Sequence, residues 1–111
     1  MKQDYKKNQL KAYVLTYCAN ANFVISNDEV EFIKSKTCIS NLNEVQCEIR
    51  KNNDYQNIQR IIKLAYTCSY NIEDKKILFK EINELVKIGK DYYQLKLNTL
   101  RGLKHILFDP N

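Results

Sequence analysis

Asn20, Asn22, Asp28, Glu29 and Glu31 bring five oxygen donors into one short stretch. Hard divalent cations such as calcium take about six to eight oxygen ligands, and carboxylates tighten the site. Asn22, Asp28 and Glu29 are the centre of this candidate metal set. An EF-hand register begun at Asn20 fails, because it puts Val24 on a ligand position and Ile25 where the sharp turn needs glycine. The same residues have a second use. Ser26-Asn27-Asp28-Glu29 reads as a capping box, in which Ser26 accepts from the Glu29 N–H and the Glu29 carboxylate returns a bond to Ser26.

Other chemistries have thinner material. Cys18, Cys38, Cys47 and Cys68 form no C-x-x-C pair, so neither a zinc knuckle nor a redox motif is indicated. Cys18 and Cys68 fall on apolar helix faces and read as small buried hydrophobes. His105 is the only histidine, and spacing alone does not place it beside a cysteine nucleophile. There is no glycine-rich phosphate loop, G-x-S-x-G elbow or H-E-x-x-H helix. The expectation is a protein without catalytic residues, and with no cofactor beyond a divalent metal at the Asn22 turn.

Net charge is +5, which raises the prospect of polyanionic partners. The lysines are scattered, however, and Lys predominates over the Arg that bidentate phosphate and guanine contacts favour. The charge therefore reads as a solvated surface. Lys2, Lys6, Lys7 and Lys11, or the lysines of the predicted sixth helix, are the residues a nucleic-acid reading would use.

Elements that position these residues are helical. Two glycines and one proline leave few breakers in 111 residues, and Leu, Lys, Glu, Ile and Gln fill the interiors. Leu10, Tyr13, Val14, Tyr17, Cys18 and Ala21 recur at three- and four-residue steps, predicting one apolar face on a helix from about Asp4 to Asn22. A second helix follows the Ser26 cap to about Lys36, with Val30 and Ile33 inward. A third is predicted to start at the Asn41–Glu44 cap. Asp54 is predicted to cap a fourth with Ile58, Ile61, Ile62, Ala65 and Cys68 inward. Asn71 or Ile72 opens a fifth, with Ile77, Leu78, Ile82, Leu85 and Val86 inward. A sixth spans about Asp91 to Phe108. No run approaches the roughly 20 apolar residues of a membrane span, and the polar N-terminus does not read as a signal peptide. A cytoplasmic protein, without membrane insertion, is expected.

The chain also repeats itself at an offset of 47 residues: Val14 over Ile61, Phe23 over Tyr70, Ile25 over Ile72 and Phe32 over Phe79. Each copy reads as helix, aromatic–x–Ile turn, helix. Ala21-Asn22-Phe23-Val24-Ile25-Ser26-Asn27-Asp28-Glu29 resembles the A-D-G-x-I-x-x-x-E turn of the TerB-like tellurite-resistance family, and Cys68 to Lys76 is similar to that family's second turn. The resemblance covers about residues 8–90. It implies an all-helical, internally duplicated bundle. It also implies roles in tellurite and general stress resistance, phage or colicin tolerance, and complexes at the inner face of the membrane. Some members bind divalent metal through acidic turn residues, and no shared enzymatic reaction is implied. The chain departs from the pattern where metal would bind. The turn Asp is Asn22 and Ser69, the Gly is Phe23 and Tyr70, and the second Glu is Lys76.

The expectation is thus a single all-α domain over residues 1–111, a six-helix bundle of two pseudo-repeated helix–turn–helix units. Its expected function is non-catalytic protein interaction in stress resistance. The alternatives are a divalent-metal-responsive domain and a nucleic-acid binder. Phe23 and Tyr70 are expected either as paired core plugs or as an exposed pair that contacts a protein partner. The expected core is Tyr13, Val14, Tyr17, Cys18, Ile25, Ile33, Ile61, Ile62, Ala65, Ile72, Ile82 and Leu85.

Overall fold

A computed structural model describes residues 2–20, 26–37, 39, 41–67, 70–88, 98, 101, 102 and 105. Five helices follow one another: α1 Lys2–Ala19, α2 Asn27–Thr37, α3 Leu42–Lys51, α4 Asp54–Thr67 and α5 Ile72–Ile88. There is no strand among the described residues. The protein is all-α. The expected sixth helix lies outside the described residues except for Asn98, Arg101, Gly102 and His105, each in helical backbone.

Helix α1 is the hub. Each of α2, α3, α4 and α5 packs against it, and α2 also packs on α5. Spacing predicts a single apolar stripe on α1, but Leu10, Ala12, Tyr13, Val14, Leu15, Thr16, Cys18 and Ala19 are all buried. Neighbours enclose the second half of α1 on nearly every side, while Lys6 stays exposed and Lys7, Asn8, Gln9, Lys11 and Tyr17 half-buried, so the amphipathic period is lost there. The four outer helices do keep it. Leu42, Val45 and Ile49 of α3 and Leu78, Ile82 and Leu85 of α5 recur at three- and four-residue steps and are buried. Ile33 of α2 and Ile61 of α4 complete the centre.

Reciprocal caps start three of these helices. The Ser26 N–H and hydroxyl each donate to Glu29 Oε1 at 3.0 Å, and the Glu29 N–H donates to Ser26 Oγ at 3.2 Å. Asn53 and Gln56 exchange bonds of 2.9 and 2.8 Å ahead of α4. Asn71 and Asp74 exchange bonds of 3.3 and 2.8 Å ahead of α5. Each satisfies N–H groups that a helix start leaves open.

Four expectations need correction. Asp54 does not cap α4. It is the first helical residue, Asn53 caps, and the Asp54 carboxylate accepts from the Tyr17 hydroxyl at 3.3 Å. Asn41 precedes α3 without a side-chain cap bond, because its Oδ1 accepts from Gln9 Nε2 on α1 at 3.4 Å. Ile62 is 39% exposed, and the buried side of α4 is centred on Asn57 and Ile61 instead.

The fourth correction concerns the second turn. Ile72 is 63% exposed and Ile77 is 52% exposed, so neither is a core residue. Sequence similarity runs at 47 residues, but the caps Ser26 and Asn71 are 45 apart. Ile25 therefore precedes its cap in sequence, while Ile72 follows its cap and is carried onto the outside of the first turn of α5. Tyr70 holds the position before the second cap. It is half-buried, packs against the core, and its N–H donates to the Ala65 carbonyl at 3.2 Å, a helix-ending bond. Ile25 and Phe23 lie outside the described residues.

Ile61→Ala is expected to cost about 2–5 kcal/mol, because the side chain is fully enclosed. Ile72→Ala is expected to stay within about 0.5 kcal/mol, as surface substitutions do. Urea unfolding of the two variants checks the difference, and equal losses would contradict the outward placement of Ile72.

Candidate functional site

Polar side chains on α1 are committed to neighbouring helices. Lys7 Nζ lies 2.9 Å from Asp74 Oδ2, and Lys11 Nζ lies 2.8 Å from Glu81 Oε1. The Lys7 hydrogen bond holds the Asp74 carboxyl below the usual carboxylate range, with lesser help from the Asn71 backbone. The Lys11–Glu81 pair is largely buried, which makes either partner costly to remove alone. Two of the lysines that a nucleic-acid surface would use are thus engaged by α5. Lys6 lines a cleft on another side of α1, and the Lys2 side chain lies outside the described residues.

That cleft has a volume of about 270 Å³ and opens between α3 and α4 over α1. Both helices pack on α1. Tyr13, one of the residues lining the cleft, is held by two asparagines. Buried Asn57 accepts from the Tyr13 hydroxyl at 2.6 Å and donates to the Ile49 carbonyl at 3.1 Å. Asn52 Nδ2 donates to both the Tyr13 hydroxyl and Asn57 Oδ1 at 3.4 Å. Val45, Leu64 and the Tyr13 ring give the cleft apolar wall, while Lys6, Gln9, Glu44, Glu48 and Arg60 line its polar parts. Arg60 Nε is 3.4 Å from Glu48 Oε2 across it.

Buried Tyr13 and half-buried Tyr17 carry the clearest electrostatic signature. Burial pushes the Tyr13 hydroxyl up to about 12, with the Glu48 charge adding to the shift and the Asn52 bond opposing it. Burial also pushes Tyr17 up to about 12, helped by the Asp54 carboxylate. Both hydroxyls donate hydrogen bonds, to Asn57 and Asp54, that require the proton. They serve as structural donors.

The residues expected at a metal turn are dispersed in role. Glu29 is 2% exposed, with Oε1 taking both bonds from Ser26. Asp28 and Glu31 are exposed, Asn20 is buried, and Asn22 lies outside the described residues. Among the described residues no group of three or more His, Cys, Asp or Glu is placed to hold a metal ion. Tyr70 borders a shallow crevice with Lys7, Lys11 and Asp74. Cys18 is a buried thiol and Cys47 an exposed one, while Cys38 and Cys68 lie outside the described residues.

Sequence reading missed the outer face of α4. Tyr55 is 71% exposed, Ile62 39% and Tyr66 89%. At about 100° per residue, these three fall within about 40° of arc on one side of the helix. The stripe is opposite the buried Asn57 and Ile61 side, and its spacing of seven and four residues was available as a signal.

The fold and this surface define an all-helical protein organised around one central helix. Comparison of the chain with family models, with curated proteins and with solved structures returns no match. No helix among the described residues is long and apolar enough to cross a membrane.

The high ionisation points of Tyr13 and Tyr17 fix a pH dependence. Unfolded phenols lose their protons near pH 10, whereas these two keep them to about pH 12 when folded. The unfolded chain binds fewer protons in that window, so stability is full below pH 10 and falls as pH rises through 12. Tyr13→Phe is expected to lower stability at pH 7 by about 1–3 kcal/mol and to make the alkaline fall shallower. Unfolding midpoints at pH 8 and pH 11 measure both effects.

Proposed function

We propose that this chain is a non-catalytic protein-interaction module of the TerB-like stress and tellurite-resistance type, which engages an apolar-striped helix of another protein through α4. The observation that carries this reading is the Tyr55–Ile62–Tyr66 stripe. Exposed apolar side chains lined up along one helix face mark protein contact surfaces, whereas single exposed ones do not. Tyrosines suit that use, since each offers a large rigid apolar surface with a polar tip. Helix-in-groove and helix-on-helix recognition read such side chains at helical spacing.

The polar chemistry supports the same reading. Glu29 serves a helix cap, Lys7 and Lys11 serve ion pairs, and Tyr13 and Tyr17 serve hydrogen bonds between helices, the Tyr13 one buried. The all-helical architecture agrees with what the TerB-like resemblance implies, and that resemblance supplies the expectation of a stress-resistance complex. The occupied side chains of Lys7 and Lys11 disfavour the nucleic-acid alternative.

Tyr66→Lys tests the reading. The position is 89% exposed, so the fold is expected to survive. Tagged wild-type and Tyr66→Lys chains, each expressed in the native host, are used as baits, and the recovered proteins are quantified by mass spectrometry. At least one protein other than the bait is expected with the wild type and depleted about tenfold or more with the variant, the loss that a contact-centre residue produces. Identical recoveries from the two baits would overturn α4 as the interaction face.

A further inference from the structure

The cleft between α3 and α4 is separate from the proposed interaction face. Arg60 and Leu64, which line it from α4, sit about 140–180° round that helix from the Tyr55–Ile62–Tyr66 stripe. Its volume of about 270 Å³ falls just below the roughly 300–1,000 Å³ of pockets for drug-sized ligands, which suits a smaller molecule. Its lining has the make-up of a ligand pocket, an apolar wall with a few polar groups that fix orientation. Val45, Leu64 and the Tyr13 ring form the wall. Hydrogen bonds within the chain already set its shape, with Tyr13 tied to Asn57 at 2.6 Å and Gln9 to Asn41 at 3.4 Å.

Charge narrows the ligand. Four charged side chains line the cleft: Lys6, Glu44, Glu48 and Arg60. Glu48 and Arg60 offset each other at 3.4 Å. Lys6 on α1 and Glu44 on α3 form no ion pair with each other or with another described residue. One ammonium and one carboxylate that share a cleft without meeting are complementary to a zwitterion. A ligand with a single charge would satisfy only one of them. A polar ligand side chain would be taken from water against Val45 and Leu64, a cost that an apolar one avoids. We infer that this cleft binds a small apolar α-amino acid, with its carboxylate on Lys6, its ammonium on Glu44 and its side chain against Val45, Leu64 and the Tyr13 ring.

Amide chemical shifts of the purified full chain, followed during titration with L-leucine and L-phenylalanine, test the assignment. Ligands this small reach a Kd of about 1 mM or somewhat tighter, so titration to about 10 mM is sufficient. Shifts are expected at Gln9, Val45, Glu48 and Leu64. Glycine, which lacks the apolar side chain, should bind at least about tenfold more weakly. N-acetyl-L-leucine lacks the ammonium and L-leucinamide lacks the carboxylate, so each should bind about threefold or more weakly than L-leucine, as loss of one exposed charge pair implies. Lys6→Gln should weaken L-leucine and leave L-leucinamide unchanged, and Glu44→Gln should weaken L-leucine and leave N-acetyl-L-leucine unchanged. Both positions are exposed, so the fold is expected to survive. Absence of shifts with both amino acids, or shifts confined to residues outside the cleft, would overturn the inference. Equal affinity for L-leucine, N-acetyl-L-leucine and L-leucinamide would refute zwitterion recognition, as would binding indifferent to both variants.

Discussion

Enclosure of α1 governs the rest of the molecule. Four helices pack on one, so every residue from Ala12 to Thr16 is removed from water. That burial supplies much of the hydrophobic driving force, since each large apolar side chain fully enclosed contributes about 1.5–3 kcal/mol. It also imposes a constraint, because any polar atom on α1 must find a partner in a neighbouring helix. Tyr13, Tyr17, Lys7 and Lys11 meet that demand through Asn57, Asp54, Asp74 and Glu81. Among the described residues, the buried Thr16 Oγ1 and Asn20 Oδ1 have no hydrogen-bond partner.

Local signals and global ones were legible to different degrees. The Ser26–Glu29 box could be read directly, because a cap depends on four consecutive residues. The Asn71 start of α5 was also within reach. Asn41 could not be read correctly from its own neighbourhood, since Gln9, more than thirty residues away, takes its side chain. The assignment of Asp54 failed by one residue for a similar reason, as Tyr17 engages it from α1. An apolar stripe on α1 was a sound inference from spacing, but spacing is silent about how many neighbours will surround a helix.

The repeat itself produced the clearest misreading. Matching Ile25 to Ile72 assumes that both turns keep one register, and the caps show a two-residue shift. An isoleucine before a cap can pack under the helix, whereas one after the cap is rotated outward with the first turn. The candidate site was hidden by a related assumption, that apolar residues at helical spacing face inward. Ile62 belongs with Tyr55 and Tyr66 rather than with Ile61. The cleft between α3 and α4 had no sequence signature, because its lining comes from three helices that only the tertiary fold brings together.

Hydrogen exchange of the backbone amides tests the central role of α1 most directly. If the four outer helices depend on it, amides between Leu10 and Cys18 open only with the whole molecule. They should then be the slowest to exchange, at the free energy measured for global unfolding. Exchange across α1 as fast as that of α3 or α5, with protection concentrated elsewhere, would contradict an organisation built around this helix.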